Sequence, residues 1–393
     1  MRPLTERLSK LEEHIRNDQI TVMIVGLGSV GTYLLDYLVS RNDEAMKIVV
    51  VGRDCAKMEK NVNIVRISAL IRELNRTKIE IEAGVDLNDI DSVEKVIRKH
   101  EPDFIVNSSR AYSGLKYGSI SWKNVRAYGI WAPLSIRFTK NLMEACDRAD
   151  TDAVVINTSY SDGVIPWLKS AGKAYPDFGS GNLNHLVPRI RFAVADIIGV
   201  EDYWNVDVMF AASHFHDVCI SKEGQNQGIV LPLKVYYKGD ELDIGQDEIF
   251  SRCSVSMPVD AQRNMMNASS NFRLITAVID MIRTGKPQKV FSPGFGGNIG
   301  GYPVTIGYVD GQPDVRIDES VFSFDEMNKA NRLSLAEDGI EDIVDGKLIY
   351  TDALIEKTRS AFGKTLPKSV SYDEIDETAD FLIREIILPN TGA

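Results

Sequence analysis

The 393-residue sequence predicts an α/β protein in which a doubly wound parallel sheet is followed by an α+β domain. Three observations predict it. A β-rich apolar run ending at Gly26 leads through the turn Gly26-x-Gly28-x-x-Gly31 into a helical pattern carrying Leu34, Leu35 and Leu38. Strand-like and helix-like segments alternate from there to about residue 165, as successive βαβ units require. The chain is also too long for one ordinary core, so a companion domain is expected.

Leu4, Leu8, Leu11 and Ile15 recur at spacings of four, three and four, which makes residues 1–19 an amphipathic helix. It either packs on its own domain or reaches a neighbouring subunit as an arm. The strand–turn–helix that follows is the setting a dinucleotide fingerprint needs. Gly26 permits the tight turn, Gly28 lets the backbone approach a pyrophosphate, and Gly31 lets helix and strand pack closely. The free N–H groups of the helix start, at Ser29 and Val30, then face the phosphates. This is the Rossmann arrangement.

The second strand, KIVVVGRD, ends at Gly52 and Arg53, with Lys57 and Lys60 close behind. A small residue followed by Arg leaves room and charge for a ribose 2′-phosphate, so NADP is the expected cofactor. Asp54, one register step on, keeps NAD as the alternative. The strand TKIEIEAGVD brings Asp86 and Leu87 beside the adenine, and DFIVNSS brings Ser108 beside the nicotinamide ribose. Both placements follow from the rule that ligands bind at the carboxyl ends of parallel strands. A helix over Ala132–Ala149 leads to the strand DAVVIN. Its last residue, Asn157, either hydrogen-bonds the nicotinamide ribose or the reacting oxygen, or simply ends the strand. Residues 20–165 are thus read as the dinucleotide-binding domain and 166–393 as the catalytic, substrate and oligomerisation domain.

Composition removes several classes of function. Forty-five Lys and Arg against 56 Asp and Glu leave a net charge of -11, a field that opposes nucleic acid and anionic membranes. No apolar run approaches a bilayer span, and the charged N-terminus lacks the apolar stretch of a signal peptide. Cys55, Cys146, Cys219 and Cys253 stand far apart with no CxxC pair. That spacing argues against disulfides and against a metal site, and it fits a cytoplasmic protein.

Five stretches in order resemble the lactate and malate dehydrogenase superfamily, over roughly Val22 to Ile343. They are GLGSVG, VVINTSYSDGVIPWL, FGSGNLNHLVPRIRFAVADIIGV, DVMFAASHFHD, and MNASSNFRLITAVIDMIRTGKP with the late GGYPVTIGYVDGQPDVRI. The resemblance maps His214 onto the catalytic histidine and Arg189 onto the arginine that takes the substrate carboxylate. The residue types suit those roles. Imidazole gives and takes a proton near neutral pH, and guanidinium binds a carboxylate through two parallel hydrogen bonds. His214 is expected at the end of an apolar strand, VDVMFAAS, with His216 as the fallback. One departure is plain: the superfamily has an Asp three residues before that arginine, and this chain has Leu186. Asn184 or His185 stands one turn earlier. The mobile loop, RAYSGLKYGSISWKNVRAYGIW, offers Arg110 and Lys116 as cations, and its aromatics Tyr112, Tyr117 and Trp122 point to a larger or less polar substrate. A homodimer or homotetramer is the expected assembly.

The expected activity is hydride transfer between NADP or NAD and a 2-oxo or 2-hydroxy acid or related carbonyl compound, with catalytic His214, Arg189, Asn157 and Lys116. An extended short-chain dehydrogenase is the next reading, because VDLNDIDSVEKVIRKHEPDFIVNSS resembles that class and Tyr112 and Lys116 have its spacing. They precede the long helix, however, which is the wrong place. An opine or amino-acid dehydrogenase stays open, as does a dinucleotide sensor without chemistry. Phe324–Asp345 and the acidic stretch Tyr372–Ile387 are expected as surface helices.

Overall fold

The computed structural model describes residues 1–391. Six parallel strands, β1 (Ile20–Val25), β2 (Met46–Gly52), β3 (Lys78–Ala83), β4 (Phe104–Asn107), β5 (Val154–Asn157) and β6 (Phe178–Gly179), lie in the order β3-β2-β1-β4-β5-β6. This is the dinucleotide-binding order, and it reverses between β1 and β4, where a crevice opens at the carboxyl ends. The strands form here because their apolar, β-branched residues are buried on both sides. Val22 and Ile24 enter one core with α1 (Leu4–Arg16), α2 (Ser29–Ser40) and α3 (Cys55–Arg72). Met23 and Val25 enter the other with α4 (Ile90–His100), α5 (Gly114–Asn124), α6 (Ala132–Ala149) and α7 (Ser161–Ser170).

A second lobe follows, with α8 (Val187–Ile198), β7 (Val206–Phe210), α9 (His214–Glu223), β8 (Leu233–Tyr237), β9 (Asp240–Glu241) and α10 (Gln246–Ser251) around a third core. The long α11 (Asn264–Thr284) returns to pack on α2. The antiparallel sheet β10 (Gln288–Pro293), β11 (Gly301–Val309) and β12 (Gln312–Ile317) comes next, followed by α12 (Phe324–Glu337). The chain then forms β13 (Ile340–Val344), β14 (Lys347–Tyr350), α13 (Asp352–Phe362), β15 (Ser369–Ser371) and α14 (Ile375–Phe381). Among the described residues no helix is long and apolar enough to cross a membrane.

The structure differs from the sequence reading in four places. The parallel sheet takes in β6, so it continues beyond the boundary read near residue 165. The strand before His214 stops at Phe210. Its partner register runs out at Leu233, and the next residue, Pro232, has no N–H to extend the ladder. His214 therefore opens a helix, and His214 and His216 do not share a strand face. The helix from Phe324 ends at Glu337, because Gly339 takes a φ of 89° and turns the chain into β13. Finally, the C-terminal acidic helix keeps Asp373, Glu374 and Glu377 exposed, as a surface helix does, but its other side is built into the core. Ile375, Ala379, Leu382 and Ile386 are buried in the core beside α6, and Asp376 and Asp380 each lie 2.6 Å from a cation of that helix, Lys140 and Arg137.

The N-terminal helix packs on its own chain. Leu8, Leu11 and Ile15 are buried, and Arg7 makes a two-pronged, buried ion pair with Asp177, one prong being Nη1 to Oδ2 at 2.8 Å.

Candidate active site

A cleft of about 1370 Å³ opens at the crevice between β1 and β4. Its inner wall is the glycine turn, where the three glycines do different jobs. Gly26 has a φ of 91°, and a Cβ there would meet the Ser109 backbone at 3.0 Å. At Gly31 a Cβ would lie 2.2 Å from the Gly26 carbonyl oxygen, so this glycine seats α2 beneath the turn and does not itself line the cleft. A Cβ at Gly28 would meet nothing within 4 Å, because this residue borders open cleft. Ser29 and Val30 follow at the start of α2 and line the cleft too. Ser108 Oγ donates to the Gly26 carbonyl at 2.6 Å, which ties the end of β4 to the turn. Bare backbone facing open space at a helix N-terminus is a cradle for a pyrophosphate.

Arg53, Asp54, Lys57, Asp86 and Leu87 line the next stretch of the cleft. The Asp54 carboxylate is already engaged, since it caps α3 by accepting the Lys57 N–H at 3.0 Å. Arg53 is exposed, with its guanidinium 3.9 Å from Asp86.

His214 lies deeper in the same cleft, at the first position of α9. Its Nδ1 is 2.9 Å from Oδ2 of Asp338, a buried carboxylate just past the end of α12. The same carboxylate accepts the Tyr160 hydroxyl at 2.7 Å and the Tyr128 N–H at 2.6 Å. Rings of Tyr128 and Tyr160 stand edge-on to the imidazole, with centroids at 4.9 and 5.0 Å. Burial alone would push the imidazole down, but the charge and hydrogen bond of Asp338 outweigh it and hold His214 above its ordinary value. Burial, with Asp338 adding to it, pushes the Tyr128 phenol up to about 12 and that of Tyr160 well above its usual range. Leu186, where the resemblance expects an Asp, is core, and the carboxylate that meets His214 is Asp338. Sequence reasoning missed it because the pairing spans 124 positions and carries no local pattern.

His216 does not share that setting. It is fully buried, with Nδ1 on Ser334 Oγ at 2.7 Å and Nε2 on the Asn226 carbonyl at 3.0 Å, and burial lowers its pKa to about 4. Arg189 does reach the cleft, from the first turn of α8. Its Nη1 donates to the carbonyls of Cys253 at 3.1 Å and Val255 at 3.5 Å, and Nη2 meets Met257 Sδ at 3.3 Å. Among the described residues no carboxylate pairs with it directly, and burial lowers its pKa. Three further cleft cations escaped the sequence reading, Lys123, Arg263 and Lys222, the last lying 5.3 Å over the Trp122 ring.

Two of the four expected catalytic residues are not brought to the cleft. Asn157 is fully buried and committed inside the fold. Its amide donates to the Ser159 carbonyl at 2.9 Å and Ser161 Oγ at 3.1 Å, and its oxygen accepts from Asn107 and Thr139, both at 3.1 Å. Lys116 is exposed on α5, outside the lining, whereas Arg110, Tyr112, Tyr117 and Trp122 line it. The Tyr112–Lys116 spacing therefore does not assemble a short-chain dehydrogenase site. Asp162, beside His214, is buried, and burial raises it to about 6. Among the described residues no three His, Cys, Asp or Glu come together to hold a metal.

Residues 22–122 match a family described as the saccharopine dehydrogenase NADP binding domain, which covers about a quarter of the chain. No curated protein sequence matches. Solved structures do match in fold. Malate dehydrogenase of Cryptosporidium parvum aligns with a TM-score of 0.52 at 12% identity, over 81% of this chain and 98% of its own. The minor L-lactate dehydrogenase of Enterococcus mundtii, in ligand-bound form, gives 0.54 at 13%, over 81% and 96%. Lactate dehydrogenase of Eimeria maxima with NADH and oxamate gives 0.53 at 14%, over 82% and 94%. At these identities the likeness is one of fold: a Rossmann sheet with a smaller antiparallel lobe, arranged as in lactate and malate dehydrogenases.

Proposed function

We propose that the protein is a nicotinamide-dependent oxidoreductase acting on a 2-oxo or 2-hydroxy acid or a related carbonyl compound. One observation carries this reading: the glycine turn and the His214–Asp338 pair open into a single cleft. Gly26, Gly28 and the first N–H groups of α2 would hold the pyrophosphate, with Ser108 bracing the turn. A bound nicotinamide supplies a carbon that gives or takes a hydride. Asp338 fixes the Nδ1–H tautomer of His214 and leaves Nε2 to exchange the hydroxyl proton, which makes Asp338 a positioning residue. Arg189 offers a guanidinium without a carboxylate partner to the substrate's carboxylate. Occupation of Asp54 as a helix cap, with Arg53 and Lys57 in the lining, favours NADP over NAD, in line with the family matched by residues 22–122. A positioned imidazole–carboxylate pair opposes a sensor that binds but does no chemistry.

That match also favours a second reading, an amine-forming dehydrogenase in which a 2-oxo acid meets an amino acid. Both are tested by titrating NADPH and NADH into the protein, then following reduced-cofactor absorbance with a panel of 2-oxo acids, each with and without amino acids. Turnover that survives His214→Ala overturns the mechanism, and turnover only when an amine is present selects the second reading.

A further inference from the structure

The cleft holds a second imidazole–carboxylate pair that the reading above does not use. α9 presents His214, Asp217, Val218 and Ser221 to the cleft, the i, i+3, i+4, i+7 face of one helix. Asp217 therefore lies about 4.5 Å beyond His214 along the helix axis, at 1.5 Å per residue. Its buried carboxylate accepts the Leu183 N–H at 3.2 Å and faces Nδ1 of His185 at 3.7 Å. Asp217, His214 and Arg189 line the same cleft.

What distinguishes this pair is its unfinished hydrogen bonding. His216, a structural histidine of the same chain, has partners at both ring nitrogens. His185 has a buried Nε2 with none, and so do the buried Nε of Arg189 and Oγ of Ser221. All three residues line the cleft. Buried polar atoms are almost always paired, so three unpaired ones on residues that line one cleft mark where a ligand's polar atoms belong.

We infer that His185 and Asp217 form a subsite for a hydrogen-bond-donating group of the substrate, a hydroxyl or an ammonium, carried on the same molecule as the carboxylate taken by Arg189. Asp217 accepts the donated hydrogen bond, and His185 Nε2 completes the contact. The substrate is then not a plain aliphatic 2-oxo acid but one bearing a second polar group. The inference rests on Arg189 as carboxylate anchor.

The test is calorimetric titration of the full chain with three unreactive acids of equal carbon length: butanoate, 4-hydroxybutanoate and 4-aminobutanoate. The hydroxy or the amino acid is expected to bind at least about tenfold tighter than butanoate, the change that one well-made hydrogen bond gives. Asp217→Asn and His185→Phe are each expected to bring that ratio to within about twofold, with thermal melting to show that each variant is folded. Should Asp217→Asn fail to fold, His185→Phe carries the test. Which acid binds tighter decides between hydroxyl and ammonium. Equal affinities in the unmodified protein overturn the subsite, as does a ratio that survives in the folded variants. Arg189→Met tests the anchor separately: butanoate binding that ignores it removes the reading on which the subsite rests, whatever the ratio does.

Discussion

At the scale of single residues, Asp338 has the largest consequence for chemistry. In the proposed reaction, reduction of a carbonyl needs His214 protonated, so the rate falls as pH rises through the His214 pKa. Asp338 holds that pKa up, against a burial effect that lowers it. Asp338→Asn removes the strongest of the effects that raise it and leaves the weaker pull of Asp162 and Asp217 against burial, so the falling limb of the pH–rate profile moves to lower pH and kcat near neutrality drops about 10²-fold or more, the usual size of a general acid–base contribution. A limb that stays in place would show that another group sets it. The glycines give a matched pair of outcomes. Gly28→Ala, with nothing near its new Cβ, keeps its melting temperature and loses dinucleotide affinity in a titration. Gly31→Ala, 2.2 Å from a carbonyl oxygen, loses stability as well. These glycines, His214 and Arg189 were legible because each sits in a short pattern with a chemical reason. Asp338 and Tyr160 were not, because only tertiary packing brings an acid at the end of α12 to an imidazole at the start of α9.

At the scale of elements, boundaries decide what a side chain can reach. Reading VDVMFAAS as one strand put His214 and His216 on the same face. Pro232 on the neighbouring strand ends the ladder, a cause that local periodicity in the His214 segment does not contain. The end of α12 is the matching case, because Asp338 is aimed by the turn that Gly339 makes at a φ of 89°. A Cβ at Gly339 would lie 2.4 Å from Leu354 Cδ2. Gly339→Ala is therefore expected to cost about 1–3 kcal/mol in urea unfolding, as forced left-handed backbone does. It should also lower kcat more than it raises KM, since the turn aims Asp338 and does not touch substrate. Asp162 opens α7's first turn, and its folded pKa of about 6 lies above the ordinary carboxylate value, so the folded state binds the extra proton. Its contribution to stability is greatest below about pH 4 and is lost as pH rises towards 6. Asp162→Asn flattens that slope in unfolding curves across this window, and an unchanged slope would mean that Asp162 is not the group responsible.

At the scale of the molecule, the parallel sheet was legible because a glycine fingerprint and alternating elements leave few topologies. Beyond the β11–β12 hairpin and the helix from Phe324, the end of the chain was not, since short antiparallel strands and a helix with half its residues buried lack a distinctive period. The same holds for the N-terminal helix: its stripe predicted a partner surface but could not say whose. The structure answers with Arg7, whose guanidinium reaches Asp177 just ahead of β6 while Asp177 Oδ2 also accepts the Val155 N–H at 2.8 Å. One buried ion pair thus joins the helix at the start of the chain to the far edge of the sheet. Removing only the cation strands a buried carboxylate, and Arg7→Met is expected to cost about 3–5 kcal/mol in urea unfolding. Arg7→Met with Asp177→Asn should recover part of that loss, because the amide oxygen still accepts from Val155 and no charge is left unpaired. Dinucleotide affinity should not change in either variant, as neither residue lines the cleft. Were the single variant as stable as the unmodified protein, the helix would be held by its leucine stripe alone, and the ion pair would add nothing to the closure of the sheet.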